Sequence, residues 1–194
     1  MSAESLQEEL KVAKKKSAKP MLWISMISMV MFFAGLSSAY IISQKREDWV
    51  SFDLPDAFYI STVLIVLSSI TLLSSQRLLK KDNLKASFLL LITTLILGIG
   101  FVWYQYVGFN ELKAAGLYFT GPESTVSTSF IIGITFMHVL HLLAGVIVLL
   151  VVIYNHYKNK YSSTDMLGFE LGAIFWHFVD VLWIYLFFFF YFIR

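Results

Sequence analysis

Apolar residues are concentrated in five long stretches that alternate with short polar segments. The stretches lie at 21–42, 57–76, 86–108, 127–154 and 167–193. Each is long enough to cross the hydrocarbon core of a bilayer as an α-helix, which takes about 20 residues. Pro20, Pro55 and Pro122 each stand shortly before a stretch and not within one, so no span should be broken by proline. The pattern predicts an all-α integral membrane protein, a bundle of five transmembrane helices.

The composition supports a membrane protein with one domain. Hydrophobic residues make up 58% of the chain and charged residues 14%, whereas soluble domains carry roughly 25% charged residues. Because there is no cysteine, neither a disulfide framework nor a thiolate metal site can form. We expect a basic tail at 1–20 followed by a single transmembrane domain at 21–194. No nucleic-acid partner is expected.

Lysines and arginines are distributed unevenly between the two ends of the predicted spans. The side that holds the N-terminus carries eleven of them: Lys11, Lys14, Lys15, Lys16, Lys19, Arg77, Lys80, Lys81, Lys85, Lys158 and Lys160. The opposite side carries four, Lys45, Arg46, Lys113 and Arg194. By the positive-inside rule the N-terminus is predicted to be cytoplasmic and the C-terminus outside. Residues 1–20 could serve as an address or a membrane-surface anchor, but a solvated tail that holds the topology is favoured.

Five ionisable side chains lie inside spans four and five. Asp180 stands at the midpoint of span five, where an unpaired charge costs several kcal/mol. His177 precedes it by one helical turn, and Glu170 lies about 15 Å nearer the cytoplasm at a rise of roughly 1.5 Å per residue. His138 and His141 are neighbours on one face near the middle of span four. We therefore predict an intramembrane polar cluster of His138, His141, Glu170, His177 and Asp180.

Four roles for this cluster are open from the residues alone. His138 or His141 could act with His177 as axial haem ligands, or the histidines could bind a divalent metal together with Asp180. Asp180 and Glu170 could carry protons or ions. The favoured role is structural, because polar side chains in membrane bundles commonly bond helices together. In that case we expect Asp180 to find its partner among His138, His141 and His177.

Large and small residues also mark where helices should pack closely. Trp176 and Trp183 lie well inside span five and seven residues apart, so they are predicted to pack against neighbouring helices. Gly133 and Gly145 belong to a row of positions four residues apart on span four, where small side chains allow close approach.

Three segments resemble subunit III of the haem-copper cytochrome c and quinol oxidases. The run W-H-F-V-D-V-L-W at 176–183, preceded by Gly168, Phe169 and Glu170, resembles that family's signature. The segment S-M-V-M-F-F-A-G at 28–35 resembles the family's S-E-V-M-F-F-A-G. The segment T-F-M-H-V-L-H at 135–141 resembles its T-G-F-H-G-L-H. The resemblance extends from about residue 21 to the C-terminus.

The resemblance implies a five-helix version of a fold whose longer members have seven helices. It implies an accessory subunit III of an aerobic terminal oxidase, a cytochrome c oxidase complex that reduces oxygen to water and translocates protons. Such a subunit has no catalytic, cofactor-binding or metal-binding residue of its own, and haem and copper are expected in partner subunits. The implied partners are the catalytic subunit I, other respiratory subunits and membrane phospholipids. The implied location is a bacterial inner membrane.

One position departs from the family pattern. Met29 stands where the family has a glutamate, and a methionine cannot bind a proton. The resemblance therefore favours assembly, stability and lipid contacts over proton traffic. The alternatives are an accessory subunit of a quinol oxidase or nitric oxide reductase system, a small secondary transporter, and a haem-binding membrane anchor.

Overall fold

The computed structural model describes residues 3–47, 49–50, 53–121, 124–162 and 165–193. Pro122 and Arg194, used above for the span and charge patterns, lie outside them. The described residues form five helices: α1 Ala3–Ser43, α2 Asp56–Lys80, α3 Leu84–Ala114, α4 Val126–Tyr157 and α5 Leu167–Phe192. All five are long and apolar enough to cross a membrane. The predicted all-α class with five membrane-spanning helices is confirmed.

Helices α2 to α5 begin close to the predicted span starts, and local side chains cap two of them, α3 and α4. The Asn83 side chain accepts a hydrogen bond from the backbone N–H of Ala86 at 3.3 Å, and Thr125 accepts one from Thr128 at 3.3 Å. Such caps satisfy N–H groups that have no partner within the helix. Between α2 and α3 the chain reverses through Asp82, whose φ is 56°.

Helix α1 is much longer than the predicted span. It begins at Ala3 and runs through Pro20 without a break. Proline removes one backbone hydrogen bond from a helix interior, but the lysines, glutamates and alanines before it are good helix formers. Since 41 residues at about 1.5 Å each extend roughly 60 Å, α1 is about twice as long as the hydrocarbon core is thick. We call residues 3–20 the helical arm.

Helix α5 is the centre of the bundle. It packs against α1, α2 and α4, while α4 also contacts α1 and α3, and α2 pairs with α3. In its most apolar window 61% of α5 is buried, against 22–33% for the other four helices. The N-terminal end of α1 lies beside the α4–α5 loop, since Lys15 contacts Asp165. We call this end of the bundle, which also holds the α2–α3 turn, the basic side.

Candidate functional site

Asp180 bonds to helix α2. It is 1% exposed, and its Oδ2 is hydrogen-bonded to the Ser69 hydroxyl of α2. The same hydroxyl lies 3.0 Å from Nδ1 of the half-buried His177. Residues 177 and 180 are one turn apart, so α5 presents both to the same part of α2. The structure thus brings Asp180 and His177 together through a residue that the sequence analysis did not select.

The expected direct pairing of Asp180 with a histidine is wrong. Its hydrogen bond goes to Ser69, and His177 is linked to it only through that hydroxyl. His138 and His141 do not bond to Asp180, because they lie on α4 and contact Phe33 of α1. Similar depth in the membrane was a poor guide to contact, because depth says nothing about the direction in which each helix faces.

His138 is enclosed by aromatic rings from three other helices. It is fully buried, and its ring centroid lies 6.4 Å from Phe33 of α1, 6.0 Å from Phe101 of α3 and 5.2 Å from Trp183 of α5. Neither ring nitrogen has a hydrogen-bond partner in the described part of the chain. His141 bonds through Nδ1 to the Met137 carbonyl at 2.7 Å. His138 therefore packs among α1, α3 and α5, and His141 packs against α1.

Glu170 lies apart from the other four residues of the predicted cluster. Its carboxylate makes an ion pair with Lys19 of the helical arm at 2.7 Å. A second ion pair joins Lys15 to Asp165 at 2.9 Å. Lys15 and Lys19 are four residues apart and so share one face of α1. Glu170 thus helps to hold the helical arm against the start of α5.

The helical arm is expected to loosen at low pH. The hydrogen bond and charge of Lys15 hold the pKa of the exposed Asp165 carboxyl below its ordinary value of 3.8. A lowered pKa stabilises the folded state above the ordinary value, and this stabilisation is lost as pH falls through the folded-state pKa. In the full chain with Val12→Cys as the single cysteine, a spin label at this position should become more mobile as pH falls below the ordinary value of 3.8.

Lysine variants distinguish the loss of these two ion pairs from acid denaturation of the whole protein. At neutral pH, Lys15→Ala with Lys19→Ala should raise the mobility of the spin label, and high salt should do so in the parent, since salt screens exposed pairs. Lys14→Ala with Lys16→Ala is the matched control, because neither lysine makes an ion pair with an acid in the described ranges. Equal mobility in the two double variants would contradict the role of the ion pairs.

The functional side chains that sequence reasoning missed are hydroxyls of α2. Ser68 accepts a hydrogen bond from the Trp176 indole at 3.1 Å, and Thr62 accepts one from Trp183 at 2.9 Å. On the side facing α3 the contacts are Ser61 with Gln105 at 2.9 Å, Thr71 with Thr94 at 2.8 Å and Ser75 with Ser87 at 3.1 Å. The signal was present as the pairs S-S at 68–69 and 74–75 in an apolar run. It was weak because a hydroxyl can also bond to its own helix.

The two tryptophans of α5 pack as the sequence indicated. Both are buried, at 1% exposure for Trp176 and 0% for Trp183. The Trp176 ring covers Gly98 of α3 so closely that an added Cβ there would lie 2.6 Å from Cη2. Gly145 of α4 also faces this ring, at 3.4 Å from Cε3 for an added Cβ. Glycine is needed at position 98 because α3 and the indole approach so closely.

No three histidine, aspartate or glutamate side chains converge in a metal-binding arrangement among the residues that the structure describes. His138 lies among rings of α1, α3 and α5, His141 faces α1, His177 and Asp180 face α2, and Glu170 faces the helical arm. The chemistry of the region is therefore hydrogen bonding and ring packing between helices.

A family model for cytochrome c oxidase subunit III matches residues 1–194. The chain belongs to this family. The cytochrome c oxidase subunit 3 of Alkalihalophilus pseudofirmus is 26% identical over 155 residues, which cover 80% of this chain and 73% of that protein. That of Spodoptera frugiperda is 30% identical over 128 residues, covering 66% and 83%. That of Drosophila melanogaster is 28% identical over 172 residues, covering 83% and 63%.

The three segments that resemble the subunit III family meet in the bundle. Phe33 belongs to the segment at 28–35, His138 to that at 135–141, and Trp183 to that at 176–183. The His138 ring contacts both of the others. The predicted resemblance is confirmed by the family match and by the relatives. In this subunit III chain the motifs therefore form one packed centre that joins α1, α4 and α5.

Proposed function

We propose that this chain is the accessory subunit III of a bacterial aerobic cytochrome c oxidase, and that it supports the complex without redox centres of its own. The observation that carries the proposal is the match of the whole chain to the subunit III family. Membership of that family implies a complex with other oxidase subunits. The catalytic subunit I is the proposed neighbour, and haem and copper belong to partner subunits.

The contribution proposed for this chain is assembly, stability and lipid contact. The polar side chains of the spans are engaged between helices: Asp180 and His177 with Ser69, and His138 among aromatic rings. We assign His138, His141, Glu170, His177 and Asp180 to packing and not to catalysis. Met29 supports this assignment, because it replaces the proton-binding glutamate of the family pattern with an apolar thioether.

The location that follows is a bacterial inner membrane crossed five times. With the helical arm in the cytoplasm, eleven lysines and arginines face the cytoplasm and four face outwards, as the positive-inside rule requires. The domain division proposed with it is a basic cytoplasmic segment at 1–20 and a transmembrane domain at 21–194. The ion pairs of Lys15 and Lys19 support a cytoplasmic segment that is docked on the bundle.

Co-purification tests the proposed function. An affinity-tagged chain extracted from its native membranes with mild detergent should bring with it a haem-copper protein that consumes oxygen with reduced cytochrome c. Deleting the chain should lower the recovery or the working lifetime of that oxidase while leaving its haem spectrum intact. Co-purification of a nitric oxide reductase, or of an oxidase that accepts only quinols, would replace the proposal with one of its rivals. A haem spectrum from the chain alone would refute it.

A further inference from the structure

Asp180, Ser69 and His177 form a hydrogen-bonded group that includes two titratable side chains, a carboxyl and an imidazole. Helix packing alone would not require titratable side chains here. Asp180 is 1% exposed, and its second oxygen, Oδ1, has no hydrogen-bond partner in the described part of the chain. Nε2 of His177 is likewise buried without a partner. The group thus contains a buried acid and a buried base joined by one hydroxyl.

Among the residues that the structure describes, no lysine or arginine pairs with the Asp180 carboxyl. The basic residues of α2, Arg77 and Lys80, lie in its last turn, and Arg77 is eight residues from Ser69, or about 12 Å along the helix axis. On α1, Lys19 is paired with Glu170. A carboxylate here would therefore be an unpaired anion in hydrocarbon, with a bare charged oxygen at Oδ1. That arrangement costs far more than leaving a neutral carbonyl oxygen without a partner.

The hydrogen bonds around Ser69 fit two states. In one, Nδ1–H of His177 donates to Oγ of Ser69 and the Ser69 hydroxyl donates to a carboxylate at Oδ2; the cost of that buried anion disfavours it. The other state contains the neutral acid. If Oδ2 carries a hydrogen, it donates to Oγ of Ser69, and the Ser69 hydroxyl then donates to Nδ1 of His177. Each of the two contacts around Ser69 then has one donor and one acceptor. His177 is neutral in this arrangement and carries its hydrogen on Nε2. Neither Asp180 nor His177 is then an ion.

We propose that Asp180, Ser69 and His177 form a proton-binding site inside the membrane, in which Asp180 holds the proton as a neutral carboxylic acid. The ligand is a single proton. This inference does not depend on which oxidase contains the chain.

Infrared difference spectroscopy of the full chain with its native partners in lipid nanodiscs tests the site. At neutral pH the parent minus Asp180→Asn spectrum should contain one carboxylic-acid C=O band, which lies apart from the carboxylate and amide bands. The band should shift in heavy water if the proton exchanges. Carboxylate bands in place of the acid band would overturn the proposal.

Variants of α2 test whether Ser69 connects the acid to the histidine. Ser69→Ala should shift the acid band, because the acid loses the hydroxyl that accepts its hydrogen. Ser74→Ala is the matched control on the same helix, since the Ser74 hydroxyl bonds back to the Ile70 carbonyl at 2.8 Å, and it should leave the band unchanged. Equal spectra for the two serine variants would overturn the connection.

Two further variants keep the test decisive. If Asp180→Asn fails to accumulate, Asp180→Glu takes its place in the test. It keeps a carboxylic acid and should move the C=O band. If the band stays at the same position, the band belongs to another residue. His177→Phe removes the acceptor and should also shift the band. The tagged-chain extraction reports separately on the proposed function, because a chain can hold this proton whether a cytochrome c oxidase or a nitric oxide reductase accompanies it.

Discussion

Trp183→Ala is expected to release much of the packing that α5 provides. The indole lies 5.7 Å from the Phe58 ring, 5.1 Å from Phe101 and 5.2 Å from His138, and its N–H bonds to Thr62. Tryptophan-to-alanine changes in protein cores cost about 3–5 kcal/mol. We expect a loss in the lower part of that range, on the order of 3 kcal/mol. A side chain that leaves the bundle interior remains in the hydrocarbon of the bilayer, so the free energy of transfer between the two environments is small.

The measurement is the temperature at which detergent-extracted chain is lost from the monodisperse peak in size-exclusion chromatography, with its native partners present. Trp103→Ala is the matched control, since that indole is 63% exposed at the bundle surface and such substitutions usually change stability by less than about 0.5 kcal/mol. If both variants lose the peak at the same temperature, Trp183 does not have the central packing role given to it here.

Gly98→Ala is expected to force α3 away from α5. The added methyl carbon would lie 2.6 Å from Cη2 and 2.8 Å from Cζ2 of Trp176. That ring cannot easily move, because it is 1% exposed and its N–H is bonded to Ser68. Overpacking of this kind costs about 1–3 kcal/mol. The tryptophan emission spectrum of the chain and the temperature at which the monodisperse peak is lost should both change.

Gly100→Ala is the control two residues further along the same helix. Its added carbon would lie 3.5 Å from the Leu64 side chain, an ordinary contact. Because alanine is the better helix former by up to about 1 kcal/mol, this variant should be neutral or slightly stabilising. If Gly100→Ala loses as much stability as Gly98→Ala, then backbone effects, and not the Trp176 contact, explain the result.

The extent of the candidate site could be read only partly from the sequence. Trp176, His177, Asp180 and Trp183 stand out because polar or bulky groups interrupt an apolar run. Their partner Ser69 does not stand out, since serine is common in membrane helices and can satisfy its hydroxyl on its own backbone. Glu170 was grouped with them by its position on α5, yet it pairs with Lys19 at the basic side. A residue on one helix can be placed by its spacing, but its partner on another helix cannot.

The helical arm is a second feature that the sequence predicted only in part. Hydropathy located the start of the first span near Met21, because only the membrane-embedded part of a helix must be apolar. It could not show that the helix begins at Ala3. The structure docks this polar segment through Lys15 and Lys19 against Asp165 and Glu170, which are 150 or more residues away along the chain.

The sequence by itself determined that the chain forms five membrane-spanning helices and belongs with subunit III, since continuous apolar stretches of this length cross hydrocarbon as helices and the family motifs are contiguous. Only the tertiary structure decided which faces of those helices meet. It turned Asp180 towards Ser69, placed the His138 ring against Trp183, and set Trp176 over Gly98. In a bilayer these choices depend on shape and hydrogen bonding between distant segments, because apolar side chains gain little by leaving lipid for protein.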